Sequence, residues 1–148
     1  MGVRKDLPDI AFIEMGIFTG AALKACARVR IARVVLSGQV GKFSKIAQGF
    51  MQTHAAGNRV DTHFLADLAA RYGATGSLRE AIVSANTARH VGELVLAAGA
   101  HSILSGLSEE VVKQCRAYVQ NRLEVGAMLF DFDGTLLASV AAGVCPLV

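Results

Sequence analysis

The sequence predicts an α/β fold: a small, mostly parallel sheet with covering helices, an all-helical middle and a C-terminal β-hairpin. Three features lead to it. Residues 32–38, ARVVLSG, are apolar and β-branched without alternation, which is the pattern of a strand covered on both sides in a parallel sheet with crossover helices. Residues 60 to 124 carry helical spacing almost throughout. Residues 127–140 contain two short apolar runs around DFDG, whose Asp and Gly suit a tight turn.

Taken in order, residues 9–15, DIAFIEM, read as a first strand, and residues 16–29 switch to helical spacing with Phe18, Ala21, Ala22, Ala25, Cys26 and Val29 on one face. After the strand at 32–38 comes a helix over 42–51, with Lys42 and Lys45 in its first turn and Gly49 weakening its end. The next helix starts at Asp61 as N-cap, buries Phe64, Leu65, Leu68 and Tyr72, and ends at Gly73. Helices over SLREAIVSA and ARHVGELVLAAGA follow, and a last one begins at Ser108, with Glu109 and Glu110 favouring its N-terminal dipole. The hairpin then closes the chain.

The 148 residues are 53% hydrophobic and 18% charged, which suits one folded domain over 1–148. The uncharged run from Gly134 to Val148 falls short of the roughly 20 residues that cross a bilayer. No signal peptide is read at the start, and no membrane association is expected. Cys26, Cys115 and Cys145 are odd in number and far apart, so they suit a reducing, cytoplasmic setting, with Cys26 and Cys115 as small core residues. A net charge of +3 without basic runs gives no reason to expect nucleic acid and suits a small polyanion.

The chemistry-bearing stretch is RVVLSGQVGKFSKIAQGFMQTH, residues 33–54. A buried strand, a glycine turn at Gly38 to Gly41 and a helix start would aim free backbone N–H groups at one corner, an anion site if the strand is central. It is not a Walker loop, because two residues instead of four lie between the glycines and Phe43 stands where the magnesium-binding hydroxyl belongs. Gly16 and Gly20 form a second pair at the other junction, for close approach of a ligand or of another element. His54 is the histidine best placed for acid–base work or ligand contact; His63, His90 and His101 fall inside helical patterns, and no spacing supports a metal.

MLFDFDGTLLAS, residues 128–139, resembles the opening of haloacid-dehalogenase-type phosphatases, in which the first Asp is the nucleophile. Only fifteen residues follow Asp133 and none is Lys, Asp or Glu, so the hairpin is the preferred reading.

EMGIFTGAALKACARVRIARVVLSGQVGKFSKIAQG, then MQTHA and SANTA, resembles the C-terminal half of the CbiD family, the cobalt-precorrin-5B (C-1) methyltransferases of anaerobic cobalamin biosynthesis. The resemblance runs from about residue 10 to 138 and implies S-adenosylmethionine as cofactor and an anionic, cobalt-containing tetrapyrrole as substrate. Carried onto this chain, it implies Gly16, Gly20, Gly38 and Gly41 for the cofactor, Lys42, Lys45, Thr53, Arg59 and Asn86 for the substrate, and His54 for catalysis. It also implies the family's N-terminal domain as a partner and leaves homo-oligomerisation open. The alternative reading is a non-catalytic fragment or binding module for tetrapyrrole or nucleotide, with the phosphatase a distant third.

Overall fold

A computed structural model describes residues 7–53 and 59–142. A 3-10 turn, Asp9–Ala11, precedes α1 (Thr19–Arg28), β1 (Arg33–Gly38), α2 (Val40–Ala47), α3 (Thr62–Arg71), α4 (Gly76–Val83), α5 (Ala88–Ala97), α6 (His101–Tyr118), β2 (Glu124–Phe130) and β3 (Leu136–Val140). The sheet order is β1-β2-β3. β1 runs parallel to β2 with Leu36 opposite Ala127, and β2 runs antiparallel to β3 with Leu129 opposite Ala138. The α/β class, the helical middle and the terminal strand pair are as expected from the sequence.

The core lies between one face of this sheet and the helices. Val125, Ala127 and Leu129 of β2 are fully buried, as are Val111 and Cys115 of α6 and Ile46 of α2. Burial pushes the Cys115 thiol up to about 12 from 9.0, so it stays protonated as a small apolar residue. Asp61 caps α3 by accepting from Phe64 N–H at 2.8 Å, and Gly73 ends it at φ +85. Thr75 and Thr87 cap α4 and α5 in the same way.

Several expectations need correction. Residues 9–15 are not a strand: Pro8 leads into the 3-10 turn, no described strand pairs with them, and Ile10 is 87% exposed. A strand needs a ladder partner, and apolar composition alone does not supply one. α1 is rotated from the expected face: Thr19, Gly20, Leu23 and Ala27 point inward, whereas Phe18 and Val29 are exposed. Gly20 explains the rotation, because a Cβ there would lie 2.7 Å from the Tyr118 hydroxyl oxygen and 2.8 Å from Met51 Cβ. The small residue has to face α6.

β1 is neither central nor covered on both faces. Among the described residues it pairs with β2 alone, Leu36 faces the core, and Arg33, Val35 and Ser37 on the other face are exposed. α2 begins at Val40 and ends at Ala47, so Lys45 falls in its last turn. α6 starts at His101, not Ser108. Ile103, Leu104, Leu107, Val111 and Cys115 form one continuous buried stripe, and Ser108 sits inside it, donating its hydroxyl to the Leu104 carbonyl at 3.1 Å. Glu109 consequently does not serve the helix dipole; it accepts from the Tyr72 hydroxyl at 3.0 Å. Burial, then this bond, raises the Tyr72 pKa.

α6 passes α3 at Gly106, where an added Cβ would lie 2.2 Å from the Tyr72 ring. An unhindered helical Gly→Ala change stabilises by about 1 kcal/mol. Gly106→Ala should instead destabilise by about 1–3 kcal/mol through overpacking, read as a lower midpoint in urea unfolding at unchanged slope. A raised midpoint would contradict this helix contact.

Candidate functional site

Three segments that are distant in sequence meet at the N-terminus of α1. Gly16 turns the chain at φ +53, a left-handed conformation that Gly adopts without strain, and Phe18 N–H closes the turn on the Met15 carbonyl at 2.9 Å. The chain after α2 returns to the same place: Gly20 N–H donates to the Met51 carbonyl at 2.8 Å and Thr53 N–H to the Ile17 carbonyl at 3.0 Å. From the start of α2, Lys42 Nζ donates to the Gly16 carbonyl at 2.5 Å. Backbone bonds and one charge-assisted bond thus tie the Gly16–Gly20 stretch, Lys42 and the MQT segment into one corner.

That corner contains the only buried hydroxyls recorded without a partner among the described residues, those of Thr19 and Thr53, which are 0% and 5% exposed. An unpaired buried hydroxyl is costly, on the order of 1–3 kcal/mol, and marks a place where a polar partner is wanted. Thr53 was legible from the sequence as part of the T-H pair. Thr19 was not, because one hydroxyl at a helix start reads as an ordinary first-turn residue.

The other expected residues disperse. Gly38 ends β1, where an added Cβ would meet the Phe43 ring at 2.9 Å, and Gly41 lies in the first turn of α2, 3.5 Å by the same measure from Ala88. Gly38 is thus closely packed, whereas Gly41 makes only an ordinary contact. The expected anion crevice beside a central strand is not formed, because β1 lies on the sheet edge and Lys42 is engaged by Gly16. Lys45 is half-buried, and Arg59 and Asn86 are exposed. His54 lies outside the described residues. Its expected convergence with Lys42 falls there too, although its neighbour Thr53 is in the corner.

The DFDG stretch is a hairpin turn. Asp131 N–H donates to the Thr135 carbonyl at 2.8 Å, and Gly134 takes φ +86. The Asp131 carboxylate accepts from Phe132 N–H at 2.7 Å and that of Asp133 from Thr135 N–H at 2.8 Å. The Arg89 guanidinium of α5 lies 4.7 Å from the Phe132 ring centre and anchors the tip. No group of three or more metal-ligating side chains occurs among the described residues. Both aspartates act as turn residues.

Residues 52–141 match the CbiD C-terminal domain. The chain belongs to the CbiD family. It is 39% identical over 132 residues to the cobalt-precorrin-5B C(1)-methyltransferase of Priestia megaterium, covering 89% of this chain and 36% of that protein. The protein of the same name from Geobacillus kaustophilus is 40% identical over 131 residues, covering 88% and 35%. That from Leptospira borgpetersenii serovar Hardjo-bovis (strain JB197) is 34% identical over 137 residues, covering 93% and 37%. This CbiD chain therefore spans little more than a third of the length of these relatives. No solved structure gives a significant match.

Bonds from the Thr135 backbone and then its side chain hold the Asp133 carboxyl below its ordinary 3.8. A depressed folded-state value stabilises above the unfolded value and is lost as pH falls through the folded one. Wild type should therefore exceed Asp133→Asn in thermal midpoint at neutral pH, with the gap closing as the pH is taken below 3.8. A gap independent of pH would remove the charge from this account.

Proposed function

We propose that this chain is the C-terminal module of a cobalt-precorrin-5B C(1)-methyltransferase. The reaction is transfer of the methyl group of S-adenosylmethionine to C-1 of an anionic cobalt-containing tetrapyrrole. The observation that carries the proposal is the meeting of Gly16, Gly20, Lys42 and Thr53 in one corner of a CbiD chain.

The corner fits a polar cofactor. An added Cβ at Gly16 meets none of the described residues within 4 Å, which leaves the turn open to a ligand on their side, and the Thr19 and Thr53 hydroxyls supply bonding groups. When bound, S-adenosylmethionine supplies an electrophilic methyl on sulfur, and its transfer depends chiefly on proximity and in-line alignment. Lys42 is a positioning residue that fixes the Gly16 turn through its carbonyl. His54, next to Thr53, is assigned to proton removal or substrate contact, and Lys45, Arg59 and Asn86 to contacts with substrate carboxylates. No helix among the described residues is long and apolar enough to cross a membrane, and a cytoplasmic location accords with this.

The remaining polypeptide of the longer relatives is assigned to the open edge of β1 and the outward stripe of α1. Val35 is 50% exposed on an edge strand, and Phe18 and Val29, which flank the two ends of α1, are 56% and 65% exposed. An unpaired edge flanked by apolar side chains invites an additional strand. The matching relatives carry nearly two thirds of their length outside the matched region, as the 36% share indicates, which supplies an occupant.

Calorimetric titration of the chain with S-adenosylmethionine and S-adenosylhomocysteine tests the cofactor assignment. Saturable heat is expected, and reduced on Thr53→Val. Absence of heat with both ligands moves the cofactor site into the rest of the family's polypeptide and favours the binding-module reading. The docking assignment is tested by mixing the chain with the unmatched amino-terminal portion of the Priestia megaterium relative. A one-to-one complex by sedimentation, weakened about tenfold or more by Val35→Lys, is expected. No complex, or one indifferent to that change, defeats it.

A further inference from the structure

A second concavity lies at the opposite end of β1. It has a volume of about 660 Å3 and is lined by Lys24, Arg28, Arg30 and Arg122 together with Ala27 and Ile31, with no carboxylate among the described residues of its wall. That volume is within the range of small-molecule sites.

Two helix endings build it. α1 stops at Val29 with Arg30 at φ +59; Ile31 N–H bonds the Cys26 carbonyl at 3.0 Å and Arg30 N–H the Ala27 carbonyl at 3.3 Å. α6 stops at Val119 with Gln120 and Asn121 at φ +55 and +56; Asn121 N–H bonds the Arg116 carbonyl at 2.9 Å and Gln120 N–H the Ala117 carbonyl at 3.0 Å. Both are Schellman endings, in which the left-handed position ordinarily belongs to Gly. Arg30 therefore occupies a strained position where Gly would fold better, which directs attention to its side chain.

Among the described residues the positive charge is not fully offset. Each helix C-terminus is equivalent to about half a negative charge, so the two together balance about one of the four cations. Glu124, two residues beyond Arg122, is taken by Arg33 at 3.1 Å. Lys24 lies 4.8 Å from the Tyr118 ring centre and Arg122 Nε donates to the Val119 carbonyl at 3.2 Å, so both side chains are held in place. By contrast, the concavity between α3 and α4 sets the carboxylates of Asp67 and Glu80 around Arg79, with Arg79 and Asp67 3.8 Å apart, so its wall carries both signs of charge.

We infer that the Lys24–Arg28–Arg30–Arg122 concavity binds a small polyanion carrying two or more carboxylate or phosphate groups. It is separate from the corner at Gly16 and stands independently of the methyltransferase reading. Clustered guanidinium groups on two rims suit forked recognition of such oxygens, and a concave wall of one sign concentrates the field.

Titration calorimetry of the full chain at low salt, with pyrophosphate and separately with citrate, tests it on wild type, Arg28→Ala, Arg30→Gly and Arg122→Ala. Saturable one-to-one binding is expected, weakened about tenfold or more by each substitution. Tighter pyrophosphate binding assigns a phosphorylated ligand, and tighter citrate binding a polycarboxylate; either supports the site. Arg30→Gly should raise the thermal midpoint while losing affinity, an outcome that misfolding cannot imitate. No saturable heat with either anion, affinities unchanged in all three variants, or a lowered midpoint for Arg30→Gly would overturn the inference.

Discussion

Everything in this fold leans on one packed stripe of α6. Ile103, Leu104, Leu107, Val111 and Cys115 share a helix face, and that face meets β2 and β3 as well as α2, α3 and α5. The stripe is apolar for its whole length, and Ser108 survives inside it only because its hydroxyl is returned to the Leu104 carbonyl. Burying several large aliphatic side chains on one element, each contributing about 1.5–3 kcal/mol, outweighs any single cap or surface ion pair in this chain. The surface pair of Arg89 with Glu93 joins side chains that are more than half exposed and adds little.

The same helix sets the geometry of both candidate sites. Its Tyr118 meets Gly20 of α1, which fixes the rotation of α1 and so the position of the Gly16 turn. Its left-handed ending stands beside that of α1 and brings Arg122 to Arg28 and Arg30. One corner is built from glycine turns and unpaired hydroxyls at the start of α1. The other is built from cations at its end, so a single ten-residue helix separates two unlike binding chemistries.

The one-sided sheet fits a chain that makes up little more than a third of its relatives' length. A three-stranded sheet whose β1 edge is unpaired among the described residues leaves backbone groups and Val35 facing outward, a surface that a larger protein can use. The hairpin at the far edge, by contrast, is finished locally by Asp131, Asp133 and Gly134, each satisfying a turn bond or a turn dihedral.

The sequence by itself determined what local chemistry controls. The β-branched run of β1, the Asp61 cap and Gly73 stop of α3, and the DFDG turn are each specified within a few residues, so their type is legible without the rest of the chain. The family motifs were legible for the same reason, being short and ordered. Tertiary structure alone decided the rest. Whether β1 is central depends on which strands exist to pair with it, and residues 9–15 have the composition of a strand but no ladder partner. The face that α1 buries depends on Tyr118, far along the chain, and periodicity cannot weigh a steric contact of that kind. Arg122 joins Arg28 and Arg30 only because β1 and β2 are parallel neighbours, which brings the ends of the two preceding helices to the same, amino-terminal end of these strands.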